Sequence, residues 1–364
     1  MNQIFTKRII NTKPSFVREI LKYAAQKDRI SFAGGLPNPI AIPTEALSES
    51  TARVIQDFGY KVYQYSNSEG LVCLRELIAE RYVKRFQLDV TAEDILITTG
   101  SQQCNDLVGK ILIEKGDKIL IEKPAYLGAI QIFSLYEPEF LTIDLEQDGP
   151  NLEKLEDLLK NNHIKLMYTV PNFQNPTGIT YSNEKRVKLR TLLDKYQTVL
   201  IEDDPYGELR FRGDQLPYIG AGILNHSILY GSFSKTISPG MRIGYLCTKN
   251  KDIMKHLLTA KQASDLHTNI LSQYILYDYL MHNEYEIHIS KIKELYRIQS
   301  STMVESLRST LAKDISFTDP DGGMFMWATL NNGSSSLELF DRCISSNVVF
   351  VPGDPFYPLS LIHI

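Results

Sequence analysis

Between residue 94 and about residue 250 the chain alternates short, nearly continuous apolar runs with longer amphipathic stretches. The runs predict strands over 95–98, 118–121, 139–143, 165–169, 199–202, 227–230 and 243–247, and the stretches between them predict helices such as 102–114, 151–160 and 183–196. Strands apolar on both faces with interleaved helices indicate an α/β fold around a mainly parallel sheet, here of seven strands. Helical periodicity also opens a helix near Glu69-Gly70-Leu71, with Leu74, Leu77, Ile78 and Tyr82 on one face, and another near Pro14, with Phe16, Ile20 and Leu21. Beyond 250 the texture is helical through about residue 313, without a glycine to break it. Runs at 315–317, 322–327 and 348–351 then predict strands of a smaller α+β unit. The expected organisation is a large domain over 46–262 and a small domain built from 1–45 and 263–364.

Composition narrows this picture by exclusion. At 364 residues with 43% hydrophobic positions, the chain has material for two domains and a sizeable core. A formal net charge of -4 supplies no basic field for nucleic acid or an acidic membrane, so neither is expected as a partner. Cys73, Cys104, Cys247 and Cys343 are too scattered for a zinc site or a disulfide framework, and the seven histidines show no ligand spacing. No metal is expected. No run is long enough to cross a bilayer and residues 1–10 lack the apolar core of a secretory signal, which predicts a cytoplasmic protein.

In a parallel sheet, ligands bind beyond the carboxyl ends of the strands. Five such ends carry suggestive residues. Thr99-Gly100-Ser101-Gln102-Gln103 is a glycine turn opening a helix, suited to an anion but also an ordinary helix start. Tyr126 offers a ring to stack on a heterocycle or to fill the core. In Pro171-Asn172-Phe173-Gln174-Asn175-Pro176, Asn175 is either a donor to an oxygen or an Asx turn. Glu202-Asp203-Asp204-Pro205-Tyr206 places acids where one of them can keep a ring nitrogen protonated. Ser232-Phe233-Ser234-Lys235, followed by Pro239-Gly240-Met241-Arg242, combines an amine with hydroxyl donors and a guanidinium able to grip a phosphate. One part per strand end, in this order, describes a site for pyridoxal 5′-phosphate.

The chain resembles the fold-type I pyridoxal-phosphate enzymes of aminotransferase class I/II, and among these the aminoadipate, kynurenine, aromatic and branched-chain branch. The residues that carry the resemblance are Ser-Phe-x-Arg-Glu at 15–19, Phe-Ala-Gly-Gly-Leu-Pro at 32–37, Gln-Tyr-Ser at 64–66, Thr-Gly-Ser-Gln-Gln at 99–103, Pro-Asn-Phe-Gln-Asn-Pro-Thr-Gly at 171–178 and Gly-Ser-Phe-Ser-Lys at 231–235. The resemblance implies that Lys235 bears the cofactor, that Asp203 pairs with its ring nitrogen, and that Asn175 and Tyr206 contact its phenolic oxygen while Tyr126 stacks on the ring. It assigns the phosphate to Ser101, Gln102, Ser232, Ser234 and Arg242 beside the Gly100 turn, with Tyr65 reaching the phosphate of a neighbouring subunit. A homodimer with shared sites follows. Ser15 and Arg18 match residues that select the substrate side chain, Gly35 lies where backbone meets substrate, and the partners implied are an L-amino acid and a 2-oxo acid, 2-oxoglutarate first.

The family pattern runs on past Val351-Pro352-Gly353 and supplies an arginine in a later strand for the substrate α-carboxylate. No arginine follows Arg342. The expectation is therefore a small domain incomplete at its C-terminal end, with substrate grip weakened by roughly 1.5–3 kcal/mol for one charge-assisted hydrogen bond. Other readings of the same motifs are a catalytically impaired relative, a lyase or racemase, and a cofactor-sensing regulatory domain.

Overall fold

A computed structural model describes residues 4–12, 19–20, 22–23, 26 and 28–357. The helix expected from Pro14 falls largely outside them, as does the segment after Tyr357.

The strands, in chain order, are β1 (Ile30–Ser31), β2 (Ile95–Thr98), β3 (Lys118–Lys123), β4 (Glu139–Glu146), β5 (Gly149–Pro150), β6 (Ile164–Thr169), β7 (Val199–Asp203), β8 (Ser227–Ser232), β9 (Gly244–Cys247), β10 (Ile315–Phe317), β11 (Ala328–Leu330) and β12 (Val348–Val349). Eight of them form the central sheet in the order β2-β9-β8-β7-β6-β3-β4-β5. All seven expected central strands are present. The eighth, β5, is a two-residue hairpin partner of β4 at the edge. Strands β4, β3, β6, β7 and β8 run parallel, while β9 is antiparallel to both its neighbours.

Alternation along these strands sorts the core into layers. Ile121, Leu166, Tyr168, Ile201, Ile228 and Tyr230 point to one face, where Leu107 and Val108 of the helix Ser101–Leu112 and Leu257 of the helix Lys251–Asp265 cover them. Leu120, Met167 and Leu200 point to the other, against Leu155 and Leu189 of the helices Leu152–Asn161 and Asn183–Lys195. Each such fully buried aliphatic side chain contributes about 1.5–3 kcal/mol, which is why the strands are apolar on both sides.

Outside the sheet, β1 pairs in parallel with β12, and β10 pairs antiparallel with β11. Two expectations need correction here. The helical region after 250 is three helices, Lys251–Asp265, Ile270–His282 and Tyr285–Thr310, parted at Leu266, whose φ is 62°, and at Asn283-Glu284. No glycine was needed for either break. The stretch expected as a strand over 322–327 is irregular: Gly322 makes only an isolated antiparallel bridge with Arg210, and the two glycines pack against Phe173 so closely that a Cβ on either would fall 2.3 Å from it. The strand of this region is β11 instead.

Candidate active site

Register brings the chemistry together. Asp203 ends β7 opposite Tyr230 of β8, and Lys235 follows three residues after β8 ends at Ser232. Asn175 and Tyr206 leave the ends of β6 and β7 and meet, the Asn175 amide donating to the Tyr206 hydroxyl at 3.4 Å. Tyr206 is buried edge-on to Phe325 with ring centroids 5.4 Å apart.

The three consecutive acids at the end of β7 have different fates. Glu202 turns away and accepts from the backbone N–H groups of Ile219 and Gly220 at 3.0 and 2.8 Å, with Arg186 at 3.8 Å. Asp204 accepts from the Gly207 N–H at 2.8 Å. Asp203 is buried, and its Oδ2 accepts from the Tyr168 hydroxyl at 2.7 Å. Its Oδ1 has no hydrogen-bond partner among the described residues. Burial pushes the Asp203 carboxyl up to about 7, against the pull of the Tyr168 hydrogen bond. An unpartnered buried carboxylate oxygen is costly unless something completes it. Tyr168 was missed by motif reasoning. Strand alternation had already put it on the same face as the other buried aromatics, and it is the side chain that holds Asp203 in place.

Lys235 is half-buried, and its Nζ donates to the carbonyl of Gly35 at 2.5 Å. Burial and, secondly, the nearby Arg242 guanidinium lower its ammonium to about 8, so roughly a tenth of it is neutral at pH 7. Gly35 itself has no space for a side chain, since a Cβ would lie 2.6 Å from the Phe325 ring. The backbone of 34–35, Lys235, Tyr206 and Phe325 thus converge.

At the other end stands the Gly100 turn. Gly100 has φ 73° and precedes the helix Ser101–Leu112, whose first N–H groups have no partner inside the helix. A Cβ on Gly100 would lie 2.4 Å from Arg242 Nη2, and one on Gly244 would lie 2.6 Å from the Gly100 carbonyl carbon. The turn is therefore pressed between β9 and the Arg242 guanidinium, which donates to the carbonyls of Thr99 and Pro239 at 3.4 Å each. Tyr126 donates to Gln102 Oε1 at 3.4 Å, and the Ser234 N–H donates to Ser232 Oγ at 3.2 Å. A concave set of amide, hydroxyl and guanidinium donors at a helix N-terminus suits a phosphate.

Of the remaining expected residues, Tyr65 is 78% exposed, its ring edge-on to that of His267 with centroids 5.9 Å apart. Ser15 and Arg18 lie outside the described residues.

Residues 42–360 match the family model for aminotransferase class I and II. The chain is 38% identical over 359 residues to aromatic-amino-acid aminotransferase 1 of Thermococcus litoralis, covering 97% of this chain and 86% of that protein. Among solved structures, a Pyrococcus horikoshii kynurenine aminotransferase in complex with PMP superposes with a TM-score of 0.94 at 36% identity, covering 99% of this chain and 90% of that one. LysN, the α-aminoadipate aminotransferase of Thermus thermophilus, complexed with N-(5′-phosphopyridoxyl)-L-leucine, gives 0.91 at 37% identity, with 98% and 90% covered.

The chain belongs to the class I and II aminotransferases. It is a fold-type I enzyme whose cofactor is pyridoxal 5′-phosphate. The residues present fit that group: a buried carboxylate oxygen awaiting a donor, a cramped turn of donors at a helix start, and an amine with a depressed pKa.

Proposed function

We propose that this enzyme moves the amino group of an L-amino acid of the aminoadipate, kynurenine, aromatic or branched-chain kind to a 2-oxo acid, with 2-oxoglutarate as the acceptor. The observation that carries the reading is the unpartnered Oδ1 of Asp203 one strand away from the half-buried amine of Lys235. The names of the relatives at 36–38% identity support the donor class.

In this reading Lys235 would bear the cofactor, and Asp203, with its unpartnered Oδ1, would hold the ring nitrogen. Once bound, the cofactor's ring withdraws electrons from the substrate's Cα–H bond. Asp203 keeps the ring nitrogen protonated, since a positive neighbour stabilises the carboxylate that burial alone disfavours. The Lys235 amine, whose ammonium burial lowers to about 8, would serve as the base for the proton on the substrate α-carbon. The Gly35 carbonyl orients that Nζ. Asn175 and Tyr206, in contact with each other, would hold the phenolic oxygen, and Tyr126 would stack on the ring. Ser101, Gln102, Ser232, Ser234 and Arg242 hold the phosphate. Gly35 also bounds the substrate, and Ser15 and Arg18 select its side chain.

We further propose a cytoplasmic homodimer in which Tyr65 completes the phosphate site of the partner subunit. Support comes from exposed apolar and aromatic side chains at Tyr60, Tyr63, Tyr65 and Val72, near one another in the sequence. Among the described residues no helix is long and apolar enough to cross a membrane.

The donor assignment is tested by comparing kcat/KM for L-aminoadipate, L-kynurenine, L-tyrosine and L-leucine with L-aspartate and L-alanine, using 2-oxoglutarate. At least one of the first four is expected to exceed both of the last by about tenfold or more, the discrimination available from one well-filled pocket. A clear preference for aspartate or alanine rejects the assignment.

A further inference from the structure

Gln103 stands beside Gln102 in the glycine-turn motif, yet its side chain turns away from the site. It reaches back one turn, and its Oε1 accepts from the Thr99 backbone N–H at 2.8 Å. The same oxygen accepts from Lys261 Nζ at 3.0 Å, while Nε2 donates to Asp265 Oδ2 at 2.8 Å. With an N–H and an ammonium on one side of the amide and a carboxylate on the other, only one orientation of the amide satisfies all three.

Lys261 has no exposed surface and is the hub of this cluster. Besides Gln103 it donates to Asp265 Oδ1 at 2.9 Å and to the Thr268 hydroxyl at 3.0 Å, so its three protons are matched by three acceptors. Asp265 in turn accepts from the Thr99 hydroxyl at 3.1 Å. Thr99 is thus tied at its N–H and at its side chain, and its carbonyl accepts from Arg242. The next residue is Gly100, whose positive φ aims the helix-start N–H groups. Lys261 and Asp265 form a neutral pair, so the cluster adds little net field at the turn. What it supplies is geometry.

We propose that Lys261, Gln103 and Asp265 are positioning residues that fix Thr99, and through it the Gly100–Ser101 turn, in the conformation that receives the cofactor phosphate. This rests on the reading of that turn as the phosphate site. The cluster also joins the helices Ser101–Leu112 and Lys251–Asp265, so the competing account is helix packing alone. The two differ in one respect: positioning of the phosphate turn affects ligands that carry a phosphate, whereas packing affects every ligand of the site.

The test is calorimetric titration of the cofactor-free protein with pyridoxal 5′-phosphate and, separately, with pyridoxal, which lacks the phosphate. For Gln103→Met and for Lys261→Met the expected result is a dissociation constant for pyridoxal phosphate raised about tenfold or more, with that for pyridoxal within about twofold of the native value. Variants that bind pyridoxal phosphate like the native protein, or that lose both ligands equally, overturn the proposal. If the native protein shows no preference for the phosphorylated ligand, the assignment of the turn itself fails, which is a distinguishable outcome.

Discussion

At the scale of single residues, the feature with the clearest physical consequence is Asp203. Its folded carboxyl titrates near 7, above the ordinary carboxylate range, because it is buried with one oxygen unpartnered. A carboxyl raised on folding favours the native state while it is protonated and loses that advantage as pH rises through the folded value. In the cofactor-free protein, Asp203 therefore costs stability increasingly from about pH 4 to pH 7, on the order of a few kcal/mol. Asp203→Asn removes the charge and keeps an acceptor for Tyr168. We expect cofactor-free Asp203→Asn to melt higher than the native protein at pH 8, with the gap closing toward pH 5. A variant that melts lower at pH 8 would show that the buried charge is already compensated. With the cofactor present the order reverses, since the native carboxylate then has a positive partner.

At the scale of elements, strand ends and the first turns of helices do the positioning. The glycine turn is the most constrained of them: Gly100 has φ 73°, and a methyl group there would lie 2.4 Å from Arg242 Nη2. Gly100→Ala is expected to cost about 1–2 kcal/mol in backbone strain and to push Arg242 aside. The predicted readout is pyridoxal phosphate affinity lowered by tenfold or more, measured by titration. Unchanged affinity would remove the turn from the site.

Much of this scale was legible beforehand, for identifiable reasons. Six of the seven expected central strands are buried on both faces, β4 near the edge being the exception, and that pattern survives any detail of packing. The order of Gly100, Tyr126, Asn175, Asp203 and Lys235 along successive strand ends was readable because a parallel sheet fixes where each end emerges. The irregular 322–327 stretch was not, since its glycines pack against Phe173, about 150 residues earlier in the sequence, and its one bridge is to Arg210. Tyr168 and the Lys261 cluster were equally hidden: both act through contacts between elements distant in sequence, and neither a tyrosine in a strand nor a lysine in a helix signals a partner.

At the scale of the molecule, the sheet carries the chemistry while segments far from it in sequence close the site. Gly35, just after β1, lies under Phe325 and accepts from Lys235, and β1 itself pairs with β12. The site is thus assembled from residues some 300 positions apart. Tyr65 and its exposed neighbours face outward, which a second copy would cover. Light scattering at micromolar concentration is expected to give twice the chain mass, and a monomer that retains full activity would contradict the shared-site proposal.

The most direct measurement is the absorbance spectrum of the purified protein mixed with pyridoxal phosphate, before and after addition of L-aminoadipate, L-kynurenine, L-tyrosine or L-leucine. The account predicts that the cofactor band shifts to longer wavelength on binding and is lost when a donor is added, and that Lys235→Ala shows neither change. A native spectrum that no amino acid alters, or a Lys235→Ala spectrum that behaves like the native one, would contradict it.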